Sequence, residues 1–308
     1  MRKQFIFFIV LSAAGMLAIS CSKKNITVQP IVSSTPLQAL INSDTSLSIY
    51  YAAVKKAGAN ALYGGTDSAI VLIPGDSAFK AEGITPATIN AMSVAGADSL
   101  LRYHYIPGPV TLVAGTYNVY NSKLGRPVYG YGVIDSSGVY FNGTSASFQK
   151  LPGSNATVYK LKAPLQIPAG SAAQLIANDT LLSYFAEALK HTGISIVPGS
   201  GWNTVLAPVN AAFIAAGYPS LESIDNADIS ILSNILRYHV LPGQYFTNTL
   251  AGLSSLPTQQ GSNINIGFPD SMLQFTGLGN TTAATVTKAN RIAGSSVIIH
   301  EINEVLMP

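Results

Sequence analysis

The octapeptide Leu101-Arg102-Tyr103-His104-Tyr105-Ile106-Pro107-Gly108 returns 135 residues later as Leu236-Arg237-Tyr238-His239-Val240-Leu241-Pro242-Gly243, with six of its eight positions identical. Upstream, Val71-Leu72-Ile73-Pro74-Gly75-Asp76-Ser77-Ala78-Phe79 returns as Val205-Leu206-Ala207-Pro208-Val209-Asn210-Ala211-Ala212-Phe213, at an offset of 134. Two motifs that keep their order, and their spacing to within one residue, mark a duplication. Each copy is domain-sized, so this is a tandem pair and not a solenoid of roughly 20–50-residue units.

Each copy predicts the same series of elements. The apolar runs 69–73 and 204–207 are short and bounded by Pro, as buried strands are. Asp76 and Asn210 follow as N-cap residue types, each opening a short helix that carries Phe79 or Phe213. A second helix leads into Tyr-His. Ala97, Leu100, Leu101 and His104 fall at i, i+3, i+4 and i+7, as do Leu232, Ile235, Leu236 and His239, with Asp228 as the cap. Pro-Gly then ends the element. Strand-like stretches follow at 116–120, 128–134, 139–141 and 157–161, and again at 263–266, 273–276, 284–289 and 296–306, with Gly and Asn between them as in hairpins. Helices first and an antiparallel sheet after them predict an α+β fold.

Composition agrees with two globular domains. The chain has 308 residues, 48% of them apolar, enough for two cores at about 150 residues each. Only 10% are charged, with a formal net charge of +3. Basic residues are too sparse for a nucleic-acid surface. High hydrophobicity with low charge also excludes intrinsic disorder. One cysteine allows neither a disulfide framework nor a multi-cysteine zinc site.

Arg2 and Lys3 precede an uncharged apolar or small-residue run from Phe5 to Ala18, shorter than the roughly 20 residues a membrane-crossing helix needs. Residues 1–20 therefore read as a secretory signal peptide. Cys21 sits at the expected cleavage point in Leu17-Ala18-Ile19-Ser20-Cys21, which resembles the lipobox of a bacterial lipoprotein. The resemblance makes Cys21 the mature N-terminus and the site of lipid attachment. Residues 21–35, polar and carrying Pro30, read as a lipidated tether. The implied location is the bacterial cell envelope, with a lipid anchor in the outer membrane. Ser22-Lys23-Lys24-Asn25 lacks the acidic residues that resemble a surface-export signal, and both the surface and the periplasmic face stay open.

At the duplicated motifs the sequence resembles the fasciclin domain, present twice, as residues 36–168 and 173–308. The family's first motif matches Leu72–Phe79 and Leu206–Phe213. Its Tyr-His helix with a Pro-Gly turn matches Leu100–Gly108 and Ile235–Gly243. Its closing strand matches 297–308, and the first copy's counterpart, 158–165, departs from it with Tyr159 at the place of His300 and an interrupting Pro164. The resemblance implies two tandem domains, each a β-sheet wedge with helices packed around it, working in adhesion or extracellular interaction without catalysis or cofactor.

The Tyr-His pairs are the candidate interaction site, because that region has been linked to partner binding in the family. On the residues themselves, His104 and His239 extend the apolar stripe and face the core. Tyr103 and Tyr238 then project from another face as partner contacts. Asp76 and Asn210 are caps, since Asn replaces Asp as a cap but not as a general base. No nucleophile elbow, zinc-protease motif or phosphate-binding glycine pattern is present. Glu301 and Glu304, three apart on a strand, point to opposite faces and do not form an acid/base pair. Trp202 reads as packing. No catalytic residue, metal ligand or cofactor is expected. The membrane partner is the anchor's, and the other partner is an envelope or matrix protein or a polysaccharide. The alternative is a glycan- or small-ligand-binding accessory lipoprotein of a nutrient-uptake system.

Overall fold

The computed structural model describes residues 35–134, 138–168, 170–197, 199 and 201–308. The signal peptide, Cys21 and all of the tether except Thr35 lie outside the described residues.

The first repeat opens with helices α1 (Pro36–Ser43) and α2 (Ser48–Ala57), then β1 (Ala69–Pro74), α3 (Asp76–Ala81), α4 (Pro86–Ala91) and α5 (Val94–Tyr103). Strands β2 (Tyr105–Pro107), β3 (Tyr117–Asn121), β4 (Pro127–Gly132), β5 (Val139–Phe141), β6 (Thr144–Gln149) and β7 (Ala156–Leu161) complete it. The second repeat follows the same plan. It has α6 (Ala172–Ala177), α7 (Ser183–Thr192), β8 (Asn203–Pro208), α8 (Asn210–Ala215), α9 (Leu221–Asp225), α10 (Ile229–Tyr238) and β9 (Val240–Pro242). After an added turn of helix, α11 (Thr247–Leu250), come β10 (Ser255–Pro257), β11 (Asn263–Gly267), β12 (Gln274–Thr276), β13 (Ala284–Ala293) and β14 (Val297–Ile302).

The two seven-stranded sheets are wired alike: β2-β1-β7-β6-β5-β4-β3 in one and β9-β8-β14-β13-β12-β11-β10 in the other. The fold is α+β. The antiparallel sheet that the sequence predicts is overturned at its centre, because β1 pairs with β7, and β8 with β14, in parallel. A parallel pair needs a long crossover, and here the elements from α3 to β6, and from α8 to β13, form it. Both β8 and β14 are buried at all six positions, as is β1.

An apolar run without alternation follows from two cores, one on each face of the sheet. Ala69, Val71 and Ile73 join the helices α1, α2 and α5, whereas Ile70 and Leu72 join Val128, Phe141 and Leu161 in the wedge of strands. The second repeat divides Val205 and Ala207 from Leu206 in the same way.

Local chemistry repeats as well. Thr35 caps α1 in a box with Gln38, and Ser171 caps α6 with Gln174. Helices α2 and α7 both stop at a glycine in the left-handed region, Gly58 (φ 62°) and Gly193 (φ 67°). The helices ahead of each first motif and the short strands β6 and β10 lie outside the repeated motifs, whereas β2 and β9 form within the repeated octapeptide itself.

The described residues form one compact unit. A fifth apolar cluster joins the halves: Tyr117 and Tyr129 from the first pack with Trp202, Phe246, Ile292 and Ile298 from the second. Phe246 lies 5.4 Å from the Tyr117 ring, and Trp202 meets Tyr129 edge-on at 5.1 Å. Trp202 is thus a packing residue, placed between the repeats.

Candidate functional site

The Tyr-His pairs close the C-terminal ends of α5 and α10, where the last helical carbonyls lack intrahelical partners. His104 is wholly buried. Its Nε2 accepts the Leu165 N–H at 2.9 Å, so Nδ1 carries the proton and donates to the Leu100 carbonyl at 2.8 Å. His239 repeats this with the Leu306 N–H at 2.9 Å and the Ile235 carbonyl at 2.8 Å. Each ring spans from its helix to the segment after the closing strand. Burial holds both imidazoles at a pKa of about 4, and the backbone carbonyls oppose that only in part. A ring that already uses its proton and its lone pair, out of water, has nothing left to offer a partner.

Tyr103 and Tyr238 correct the sequence-based expectation. Both are wholly buried, and neither lies on an open face. The Tyr103 hydroxyl donates to the Pro127 carbonyl at 3.0 Å and accepts from Asn142 Nδ2 at 2.8 Å. The Tyr238 hydroxyl donates to the Asn263 carbonyl at 2.7 Å and accepts the Leu278 N–H at 3.2 Å. Those partners belong to the wedge strands and their loops, which turn the tyrosines into the second core, opposite the helices.

Asp76 and Asn210 cap a helix other than their own. The residues ahead of α3 and α8 in N-cap position are Gly75 and Val209. Asp76 Oδ1 instead accepts the Ile49 N–H at 2.8 Å, and Asn210 Oδ1 accepts the Tyr184 N–H at 3.0 Å, both in the first turn of the long helix that lacks a side-chain cap. Capping chemistry explains the Asp/Asn exchange, with the helix supplied by the tertiary fold.

His300 is buried on β14 with the opposite tautomer. Its Nδ1 accepts the Asn290 N–H at 3.3 Å, and its Nε2 donates to the Tyr245 carbonyl at 2.9 Å. Burial again lowers its pKa to about 4. Beside it, Glu301 is 2% exposed and bonds Arg291, whose guanidinium also reaches Asp179 Oδ2 at 2.6 Å. Burial raises the Glu301 pKa against the pull of Arg291. Among the described residues no three His, Cys, Asp or Glu side chains converge as a metal site would require. No described helix is long and apolar enough to cross a membrane.

The Asn142-Gly143 turn between β5 and β6, which the motifs do not reveal, joins the repeats. Both residues are left-handed (φ 48° and 75°), the geometry of a two-residue hairpin loop. The Gly143 carbonyl accepts from Thr247 Oγ1, and a Cβ on Gly143 would lie 2.7 Å from the Asn290 side chain. Only a glycine brings the turn this close.

Residues 180–308 match the Fasciclin domain model, and the sheet built on β1 has the same strand order as the one inside that match. The second repeat thus matches the fasciclin domain over nearly its whole length. It is similar to the transforming growth factor-beta-induced protein ig-h3 of Sus scrofa, 26% identical over 157 residues that make up 51% of this chain and 22% of that protein. It is 31% identical to the immunogenic protein MPB70 of Mycobacterium bovis over 35% of this chain and 51% of that one. With the cell surface glycolipoprotein MPB83 of the same species it shares 29% identity over 46% of this chain and 61% of that one. The chain thus spans from about a fifth to three fifths of the length of these relatives. Among solved structures, a FAS1 domain pair from the insect cell adhesion molecule fasciclin I aligns with 85% of this chain and 97% of that chain, at a TM-score of 0.40 and 16% identity.

Within this scaffold the conspicuous polar residues are engaged in structure. Every histidine bonds a backbone group, since His191 Nε2 also contacts the Ala227 carbonyl at 3.0 Å. Several large apolar side chains remain open to solvent, among them Ile134, Val119, Phe148, Ile231 and Leu278, each more than half exposed.

Proposed function

We propose that this chain is a non-catalytic, lipid-anchored protein of the bacterial cell envelope that works by surface contact, through fasciclin-like domains at 36–168 and 173–308. One observation carries the reading: the buried histidines, the Asp76/Asn210 pair and the Arg291 cluster all bond within the fold, so none is poised beside a nucleophile or an open metal position. A fixed pair of domains can then act only through what its outer surface presents. The similarity to a protein named a cell surface glycolipoprotein supports the location. The anchor is the acylated Cys21, and each methylene of its chains buried in the bilayer adds about 0.8 kcal/mol.

Two experiments test this. Cys21→Ser should move the protein from the membrane pellet to the soluble envelope fraction and abolish labelling by radioactive palmitate; continued labelling would overturn the anchor. Crosslinking of intact cells followed by capture of the full chain should recover a discrete envelope or matrix partner. Loss of that partner on replacing exposed apolar residues such as Ile231 and Val119, with melting unchanged, would support the contact reading. Turnover of an ester, peptide or glycoside substrate by the purified chain would sink it.

A further inference from the structure

A short segment of the second repeat, residues 245–249, carries much of its contact with the first. The Phe246 ring lies 5.4 Å from that of Tyr117 and 5.9 Å from that of Tyr129. The Thr247 hydroxyl donates to the Gly143 carbonyl, and that of Thr249 lies 3.0 Å from the Tyr117 hydroxyl.

His300 holds this segment by two routes. Its Nε2 donates to the Tyr245 carbonyl. Its Nδ1 accepts the Asn290 N–H, and the Asn290 amide in turn bonds Thr247 twice at 2.9 Å, accepting the backbone N–H and donating to the hydroxyl. Asn290 is a left-handed non-glycine residue (φ 59°) where the β13 register shifts, a conformation that lasts only while its surroundings fix it. The first repeat has no such arrangement: Tyr159 stands at the place of His300, and no helix lies between β2 and β3.

The neutral ring is fully used, one nitrogen as donor and the other as acceptor. A second proton makes Nδ1 a donor, which then opposes the Asn290 N–H out of water and breaks that route to Thr247. Few charges bear on the ring. The elements β3, β4, β5, β6, β8, β9 and α11 carry no Asp, Glu, Lys or Arg. What ionises around the contact is tyrosine (Tyr117, Tyr129, Tyr131, Tyr140 and Tyr245), which keeps its proton throughout the acid range. On β13 and β14, Lys288, Arg291 and Glu301 gather with Asp179 on the other face of the sheet, because Glu301 follows His300 along the strand. Glu82 of the first repeat lines a cleft beside Asn290 and Lys288.

We propose that His300 is an acid-released latch between the repeats. Neutral, it fixes 245–249 against the first repeat. Protonated, it frees that segment, and the repeats part at the cluster of Tyr117, Tyr129, Trp202 and Phe246 while each keeps its own core. Opening bares aromatic surface that the closed pair hides, so the contact area offered to a partner grows in acid. The proposal goes beyond the surface-contact reading and depends on neither the anchor nor a partner.

The test uses the purified full chain and measures amide exchange by NMR, corrected for intrinsic rates, at pH 7, 5.5 and 4.5. With a folded pKa of about 4 and a freed ring near 6.5, protection at Thr247 and Asn290 should fall by roughly fiftyfold from pH 7 to 4.5. It should lie below that of β1 and β8 at each pH, because opening precedes unfolding. Trp202, the sole tryptophan, sits in the cluster that parts, and acrylamide should quench it more at pH 4.5 than at pH 7 with far-UV circular dichroism unchanged. His300→Gln keeps a donor and an acceptor but cannot take the proton, and should abolish both effects. Glu82→Gln should leave both in place. The proposal is overturned if the Thr247 and Asn290 amides exchange only together with those of β8, or if Trp202 quenching does not rise. It is overturned equally if His300→Gln opens in acid like the parent, or if Glu82→Gln removes the opening. The first two outcomes are read from the parent alone, so a His300→Gln chain that fails to fold still leaves the proposal open to refutation. None of them touches the surface-contact reading, which rests on the closed pair.

Discussion

The two repeats meet the same electrostatic demand with different residues. An aspartate in each caps the short turn before the long helix: Asp44 accepts the Ser46 N–H, and Asp179 the Leu181 N–H. In the first repeat Lys160 reaches Asp44 directly from the closing strand at 3.0 Å, with both side chains partly open to water. In the second, Glu301 holds the register place of Lys160, since Ala207 faces it as Ile73 faces Lys160. The cation has moved one strand over. Arg291 on β13 takes the place of Gln149 on β6 and bonds both Glu301 and Asp179. What the two repeats share is a cation beside the capping carboxylate, whichever strand carries it. The second repeat buries its version, and a buried charge network is costly to leave half made.

The histidines sharpen the contrast. His104 and His239 match atom for atom, but His300 faces Tyr159 across the duplication, so the second repeat has two buried imidazoles of this kind to the first repeat's one. All three have folded pKa values of about 4, below the unfolded value near 6.5, so the folded state binds fewer protons. Their contribution is complete above pH 6.5 and is lost as the pH falls from 6.5 towards 4. At pH 4.5 each imidazole should have removed about 2–3 kcal/mol of stability. Asp44, held at about 2 by the Ser46 bond and then by Lys160, keeps its contribution throughout that window. Hydrogen exchange at pH 7, 5.5 and 4.5 should therefore show the second repeat losing protection first. Equal loss in both halves would break the comparison.

A smaller but more local effect is expected at Arg291. Arg291→Met leaves Glu301 and Asp179 facing each other with only Lys288, 4.0 Å from each, and should destabilise the protein by roughly 3–5 kcal/mol in urea unfolding. His104→Ala and His239→Ala each orphan a backbone N–H and a carbonyl out of water, and each should lower stability by roughly 3 kcal/mol. Because the two sites share their geometry, the two losses should agree, and binding should be affected only through unfolding. Lost adhesion with unchanged melting would return these residues to the interaction surface.

Transplanting one repeat's solution into the other gives a finer test. Lys160→Glu alone should lose about 1–2 kcal/mol, because it sets a carboxylate beside Asp44. Adding Gln149→Arg should recover most of it, and the double-mutant cycle reads the coupling. Lys160→Ala should be the mildest change, at most about 1 kcal/mol, since the pair is partly exposed.

Much of this architecture was legible before any coordinates. The repeat, the buried first strand, the Tyr-His helix and its Asp228 cap are written in residues a few positions apart, and side-chain periodicity reports them directly. The burial of His104 and His239 followed from the same stripe. The tyrosines show where that logic stops. One position away on the helix, their spacing predicts an outward face, but the sheet wraps the helix end and supplies Pro127, Asn142 and Asn263 from 24 to 39 residues away.

Sequence alone determined what each segment becomes: a duplicated set of strands, capped helices and tight turns, because those choices depend on neighbours within a turn or a hairpin. Tertiary structure decided which segments meet. It set the first and last strands of each repeat side by side in parallel, gave the Asp76 and Asn210 caps to distant helices, and closed Phe246 and Trp202 against Tyr129. Those pairings join residues separated by tens to more than a hundred positions, and they are chosen by which apolar faces can be covered at once.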